Sequence, residues 1–115
     1  MNVFVNTRKI NKGKMWVEYG RQRIMGALRK RVDRISKIQM TLSDVNGPKG
    51  GVDKRCLIVL KLKGQADIIV EALHEQVHGA IDNAVNRVQT ALHRRVNRGK
   101  DKGIHAGTRR VVYEY

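Results

Sequence analysis

The sharpest chemical pattern in the sequence is His74-Glu75-Gln76-Val77-His78, which matches the H-E-x-x-H signature of zinc peptidases. On a helix, two histidines four residues apart share one face and can bind one metal ion, while the glutamate acts as general base. A catalytic site needs a third protein ligand, and the other histidines are His93 and His105. His93 would lie about 22 Å along the helix from His78. We therefore predict no metal, no cofactor and no catalysis, and a zinc peptidase stays a minor alternative.

A glycine-rich stretch, Gly47-Pro48-Lys49-Gly50-Gly51, has the composition of a phosphate-binding loop. It lacks the G-x-x-x-x-G-K-[ST] spacing, and no predicted helix follows it. We interpret it as a hairpin loop. The single cysteine, Cys56, excludes an internal disulfide and is expected to be a small buried residue.

The net charge of +14 is unevenly distributed along the 115 residues. Residues 1–35 contain 10 Lys and Arg against 2 acidic residues, residues 36–76 contain 6 against 5, and residues 77–115 contain 8 against 3. Such segregation predicts one basic surface built from two separated segments, with a polyanion as partner. No apolar run approaches the about 18–20 residues of a membrane span. We expect a cytoplasmic protein with no membrane and no small-molecule substrate.

Hydropathy periodicity predicts four strands, near residues 3–5, 38–42, 56–62 and 66–72, and two helices, near 15–32 and 74–98. The order β-α-β-β-β-α predicts an α+β fold in which two helices cover one face of a four-stranded sheet. The other face is expected to be polar apart from Leu57 and Val59. Gly20 and Gly26 predict close packing of the first helix on the sheet, and Gly99 marks the end of the second. Residues 1–99 form the predicted domain; residues 100–115 form a basic flexible tail with a weak strand pattern at 111–113.

The second predicted helix has no acidic residue between Asp82 and Asp101, whereas Arg87, Arg94 and Arg98 share one face. A charged helix face that is only solvated would have glutamates four residues before or after its arginines. The arginine stripe without such glutamates therefore predicts contact with phosphates. Aromatic residues are only 4% of the chain, and the strands lack the aromatic pair of a sheet that stacks single-stranded bases. We therefore expect structured RNA, recognised through its backbone and shape. Charge alone leaves DNA open.

Residues 40–48, Met-Thr-Leu-Ser-Asp-Val-Asn-Gly-Pro, continue through Gly-Gly-Val-Asp-Lys-Arg-Cys at 50–56. Together with Val5-Asn6-Thr7-Arg8 and Ala80-Ile81-Asp82, this pattern resembles the bacterial hibernation promoting factor and ribosome-associated inhibitor family over about residues 1–99. The resemblance implies a fold similar to a double-stranded-RNA-binding domain. It also implies a stress or stationary-phase factor on the small ribosomal subunit. There it would bind ribosomal RNA in the decoding channel and block the messenger-RNA and transfer-RNA sites.

The resemblance also implies which residues contact RNA. Family members carry basic residues on the outer face of the second helix and on the first helix. The matching positions are Arg87, Arg94 and Arg98, extended by Arg95 and Lys100, and on the first helix Arg23, Arg29 and Lys30. The chain departs from the family at His78-Gly79, where an aromatic residue is frequent, and we expect it to be the short form, without the second domain that pairs ribosomes in the long form.

Two further classes remain open at this point. One is a stand-alone regulator that binds structured RNA or DNA away from the ribosome. The other is a weakly self-associating module, in which Leu57 and Val59, or the segment 111–115, add to the sheet of a partner.

Overall fold

The computed structural model describes residues 2–45, 53–102 and 112–114, with side chains within 2–45 and 53–95. Its elements follow the predicted order, with a 3₁₀ helix added after the first helix and a fifth strand added after the second. They are β1 (Asn2–Arg8), α1 (Gly13–Leu28), a 3₁₀ helix (Arg29–Arg34), β2 (Ile35–Asp44), β3 (Lys54–Leu62), β4 (Ile68–His74), α2 (Val77–Lys102) and β5 (Val112–Glu114).

The strands form one mixed sheet in the order β1-β2-β3-β4-β5. The pairs β2–β3 and β3–β4 are antiparallel, whereas β1–β2 and β4–β5 are parallel. Parallel neighbours need a long crossover, and α1 lies in the first connection and α2 in the second. The predicted α+β fold and element order are therefore confirmed, and β5 adds a short fifth strand where the sequence has only a weak strand pattern.

The core lies between one face of the sheet and the two helices. Alternate residues of the strands point into it, because successive side chains of a strand face opposite sides. Full burial of each large aliphatic side chain contributes about 1.5–3 kcal/mol. One face of α2 is buried from Val77 to Leu92, and Cys56 is buried as expected. The largest fully buried side chains include Ile24, Leu28, Ile38, Met40, Leu42, Ile58, Leu60, Ile68, Ile81 and Leu92.

The helix ends differ from the predicted ones. The helix α1 ends at Leu28, short of the predicted residue 32, and the 3₁₀ helix that follows leaves Val32 42% exposed. The helix α2 begins at Val77 and continues through Gly99 to Lys102, so Gly99 is not its end. Among the described residues no helix is long and apolar enough to cross a membrane. Of the predicted tail, the structure describes residues 100–102, in α2, and 112–114, in β5.

The H-E-x-x-H pattern spans two elements. His74 ends β4, and His78 lies in the first turn of α2, with 6.4 Å between the ring centroids. His74 Nδ1 accepts a hydrogen bond of 3.0 Å from the backbone N–H of Gln76, which fixes this ring at the strand end. Within the described chain no group of three or more His, Cys, Asp or Glu side chains could hold a metal ion. The single helix that the zinc signature requires is therefore not formed.

The two glycines of α1 have opposite environments. Gly20 is buried, and a Cβ atom there would lie 2.7 Å from Sδ of Met40, so α1 approaches β2 closely as predicted. Gly26 is exposed, and a Cβ atom there would have no heavy atom within 4 Å. Close packing at Gly26 was therefore the wrong expectation.

The sheet face opposite the helices is more apolar than predicted. Leu57 and Val59 are joined there by Phe4, Ile69 and Leu73, because the register places these residues on the same side. The Lys37 ammonium lies 5.1 Å from the centre of the Phe4 ring, and an ion pair joins Arg55 to Glu71. Charged groups thus border the apolar positions of this open face.

Candidate nucleic-acid interface

The helices α1 and α2 lie side by side and run in the same direction. Their contacts join residues whose numbers rise together along both helices: Trp16 with His78, Tyr19 and Arg23 with Asp82, Ala27 with Gln89, and Arg31 with His93. Most basic side chains of the two helices are therefore displayed on one side of the sheet.

A carboxylate joins the first halves of the helices. The Tyr19 hydroxyl donates to Asp82 Oδ1 at 2.7 Å, and Arg23 Nε donates to the same oxygen at 2.9 Å. Burial acts to raise the pKa of Asp82, but the hydrogen bonds from Tyr19 and Arg23, with the charges of Arg23 and His78, outweigh it, so this pKa lies below its usual value. The same bond to Asp82, followed by burial, raises the pKa of Tyr19. We call Tyr19, Arg23 and Asp82 the helix clamp.

An aromatic cluster supports the helix clamp. The rings of Trp16 and Tyr19 meet edge to face at 5.6 Å, and Trp16 stacks on His78 at 6.5 Å. Trp16 and Tyr19 pack against the core and so contribute to helix packing. The His78 ring thus joins the first turn of α2 to α1.

On the side of α2 that faces β4, Arg87 Nη1 donates to the backbone carbonyl of Glu71. Arg95 Nη1 donates to the carbonyl of Ala66 at 2.9 Å. Arg94 is exposed and lies seven residues after Arg87, on the same helical face. We call Arg87, Arg94 and Arg95 the β4 flank. The guanidinium groups of Arg87 and Arg95 are oriented by bonds to backbone carbonyls, one in β4 and one in the connection before it, which restricts their rotamers while Arg87 stays exposed.

The opposite flank lies on the α1 side. Arg29 and Lys30 are exposed at the start of the 3₁₀ helix, and the half-buried Arg31 donates to His93 Nδ1 at 3.4 Å. We call Arg29, Lys30 and Arg31 the α1 flank. Sequence reasoning missed Arg31 as a site residue, although three consecutive basic residues at a helix end were visible as a signal.

The predicted contact residues therefore fall into four places. Arg87, Arg94 and Arg95 form the β4 flank, and Arg29 and Lys30 belong to the α1 flank. Arg23 lies between the flanks and is half-buried in its ion pair. Arg98 and Lys100 lie in α2, but their side chains are outside the described residues. No acidic residue of α2 lies between Asp82 and Asp101, so the β4 flank lies on an acid-free stretch of this helix that can face a polyanion.

The comparisons with known proteins agree with this architecture. A family model described as sigma 54 modulation protein / S30EA ribosomal protein matches residues 3–100. The structure of the N-terminal domain of Protein Y from Thermus thermophilus is similar, with a TM-score of 0.65 at 23% identity, covering 82% of this chain and 98% of that one.

A ribosomal subunit interface protein from Coxiella burnetii gives a TM-score of 0.64 at 16% identity, covering 84% of this chain and 99% of that one. At these identities the two structures establish the shared fold. The comparison with curated proteins finds no match. The family match covers most of the chain and confirms the resemblance read from the motifs at residues 40–56, so the chain belongs to the sigma 54 modulation protein / S30EA ribosomal protein family.

Proposed function

We propose that this protein is a non-catalytic, cytoplasmic ribosome hibernation factor. It binds small-subunit ribosomal RNA in the decoding channel and blocks the messenger-RNA and transfer-RNA sites under stress or in stationary phase. The observation that carries the proposal is the placement of two basic flanks on one parallel helix pair, in a chain of this family. The two related structures, one of them a ribosomal subunit interface protein, support a ribosomal partner.

The mechanism is electrostatic attachment followed by steric exclusion. Lysine and arginine side chains neutralise phosphates and release counterions, which gives affinity without base-specific contacts. The helix clamp and the buried core hold both flanks in fixed relative positions, so the α/β body occupies the channel as a rigid obstacle. No step of this mechanism requires a cofactor or a covalent intermediate.

Co-sedimentation with purified ribosomal subunits across a salt series tests the proposal. The variant Arg87→Ala/Arg94→Ala/Arg98→Ala removes three charges from the outer face of α2. The matched control, Lys37→Ala/Lys61→Ala/Lys63→Ala, removes three charges from the open sheet face and the turn after β3. For roughly 6–10 phosphates neutralised, duplex-DNA affinity falls about 10³–10⁵-fold between about 50 and 200 mM salt, and ribosomal RNA should follow this trend.

We expect the wild type and the lysine control to pellet with small subunits at physiological salt, while the arginine variant stays in the supernatant with its Tm nearly unchanged. A large fall in Tm would make these arginines structural. Equal pelleting with either subunit and with free RNA, lost together as salt rises, would contradict ribosome specificity. That result would favour a stand-alone RNA- or DNA-binding regulator.

A further inference from the structure

Beyond the helix clamp, the end of α1, the first residues of the 3₁₀ helix and the middle of α2 line an open cleft of about 640 Å³. Its walls are residues 26–31 on one side and part of α2, including Gln89, Thr90 and His93, on the other. The cause is visible in the sequence, because Gly26 and Ala27 are too small to fill the gap between the helices. A volume of this size is within the range of about 300–1,000 Å³ that small-molecule sites occupy.

The chemistry of the walls is divided between charge and hydrogen-bonding groups. The α1 flank contributes Arg29, Lys30 and Arg31 to the cleft. Gln89 Nε2 donates to the Ala27 carbonyl at 3.3 Å, its one hydrogen bond to a described residue, so its amide is anchored while its oxygen can still accept. Such a cleft complements a ligand that joins an anion to a polar planar group.

The guanidinium of Arg31 and the imidazole of His93 meet at 3.4 Å across the cleft. Both are planar groups on which nucleic-acid bases stack. Amide side chains such as Gln89 pair with base edges through one donor and one acceptor. A cleft of about 640 Å³ has room for a single nucleotide but is far smaller than an RNA duplex. In a duplex, moreover, the base edges are already paired.

From this combination we infer that the cleft between α1 and α2 receives one unpaired nucleotide of the bound RNA. The α1 flank holds the phosphate, and Gln89, Arg31 and His93 contact the base. This inference rests on the proposed function and deepens it, since it adds a single-stranded RNA contact to a surface otherwise expected to recognise RNA shape. It also predicts that the two flanks bind RNA in different ways. The β4 flank binds through charge alone, and the α1 flank binds through charge and base contact.

Gly26 offers a test that does not threaten the fold. A Cβ atom there meets open space, and leucine has a higher helix propensity than glycine. The variant Gly26→Leu therefore places a side chain at the cleft without removing any charge. The matched control is Gln22→Leu, which introduces the same side chain one turn earlier on the exposed face of α1, outside the cleft.

We expect Gly26→Leu to weaken binding to small subunits about tenfold, the loss of one stacked base. Gln22→Leu should stay within about twofold of the wild type. If Gly26→Leu binds like the wild type and keeps its Tm, the cleft inference is overturned while the proposed function stands.

A second measurement tests the cleft without the ribosome. Isotope-labelled protein is titrated with a short unstructured RNA of mixed sequence, with the duplex that it forms with its complement, and with inorganic phosphate, all at one salt concentration. We expect amide resonances of residues 26–31 and 89–93 to shift with the single strand only, and these shifts to vanish in Gly26→Leu. Equal shifts with the duplex or with phosphate would overturn the cleft inference. If the single-stranded RNA shifts these resonances but the protein does not bind ribosomal subunits, the proposed ribosomal function is refuted while the cleft inference stands.

Discussion

Removal of the Asp82 carboxylate should destabilise the fold by separating the basic helices at the point where they are joined. Asp82 accepts from both Tyr19 and Arg23 through Oδ1. The side chains of Arg23 and Asp82 are 39% and 35% exposed, so solvent screens their ion pair and limits its contribution to about 0.2–1 kcal/mol. The hydrogen bond from the Tyr19 hydroxyl contributes about 1 kcal/mol. We therefore expect Asp82→Ala to lower the free energy of unfolding by about 2 kcal/mol.

Thermal and urea denaturation followed by circular dichroism measure this loss, which corresponds to a fall in Tm of about 8 °C. A double-mutant cycle with Tyr19→Phe isolates the hydrogen bond and should give a coupling energy of about 1 kcal/mol. A second cycle, which combines Arg23→Gln with Asp82→Ala, should give a smaller coupling energy, because solvent screens this ion pair. Strictly additive effects of Tyr19→Phe and Asp82→Ala would refute the clamp, because they would mean that the 2.7 Å contact carries no energy.

The clamp also makes a prediction about pH. The pKa of Asp82 in the folded state lies below its usual value, so its contribution is fully present above the unfolded-state pKa of about 3.9 and is lost as the pH falls through the folded-state pKa. The difference in stability between the wild type and Asp82→Asn should therefore stay constant from neutral pH down to about pH 5 and close only below about pH 4. A difference that closes between neutral pH and pH 5 would assign the effect to a histidine instead.

Three other outcomes follow from single positions. Gly26→Ala should stabilise the fold by about 0.5–1 kcal/mol in urea denaturation, since its Cβ meets open space, whereas Gly20→Ala should lower stability because its Cβ would displace the sulfur of a core methionine. Burial raises the pKa of Cys56 to about 12. A thiol reagent at pH 8 should therefore modify Cys56 only at the rate of unfolding. Fast modification of the native protein would contradict the burial of this thiol. Lys54→Met should lower the Tm, because Lys54 Nζ lies 3.1 Å from the buried carboxylate of Asp53. Replacing Lys54 removes the cation that neutralises this carboxylate. An unchanged Tm would show that Asp53 has another counter-charge.

The fold was predictable from local patterns because each element carries its own periodicity. Alternation in β2 and β3, and the stripe from Val77 to Leu92 in α2, follow directly from which side chains must leave water. The ends of elements were less predictable, because they depend on neighbours in space. His74 belongs to β4 because β4 pairs with β3 as far as Lys54. The helix α2 continues past Gly99, although glycine favours the end of a helix.

Sequence determined the composition of the protein: a basic chain with segregated charge and the motifs of one family. These properties depend on residue types and on their spacing within single elements, and both can be read directly from the sequence. The tertiary structure decided how the charges are divided. Arg23 and Arg31 look alike in the sequence, yet one closes the helix clamp with Asp82 and the other borders a cleft opposite His93, residues about sixty positions away. Such contacts follow from the parallel packing of α1 on α2, which no local pattern encodes.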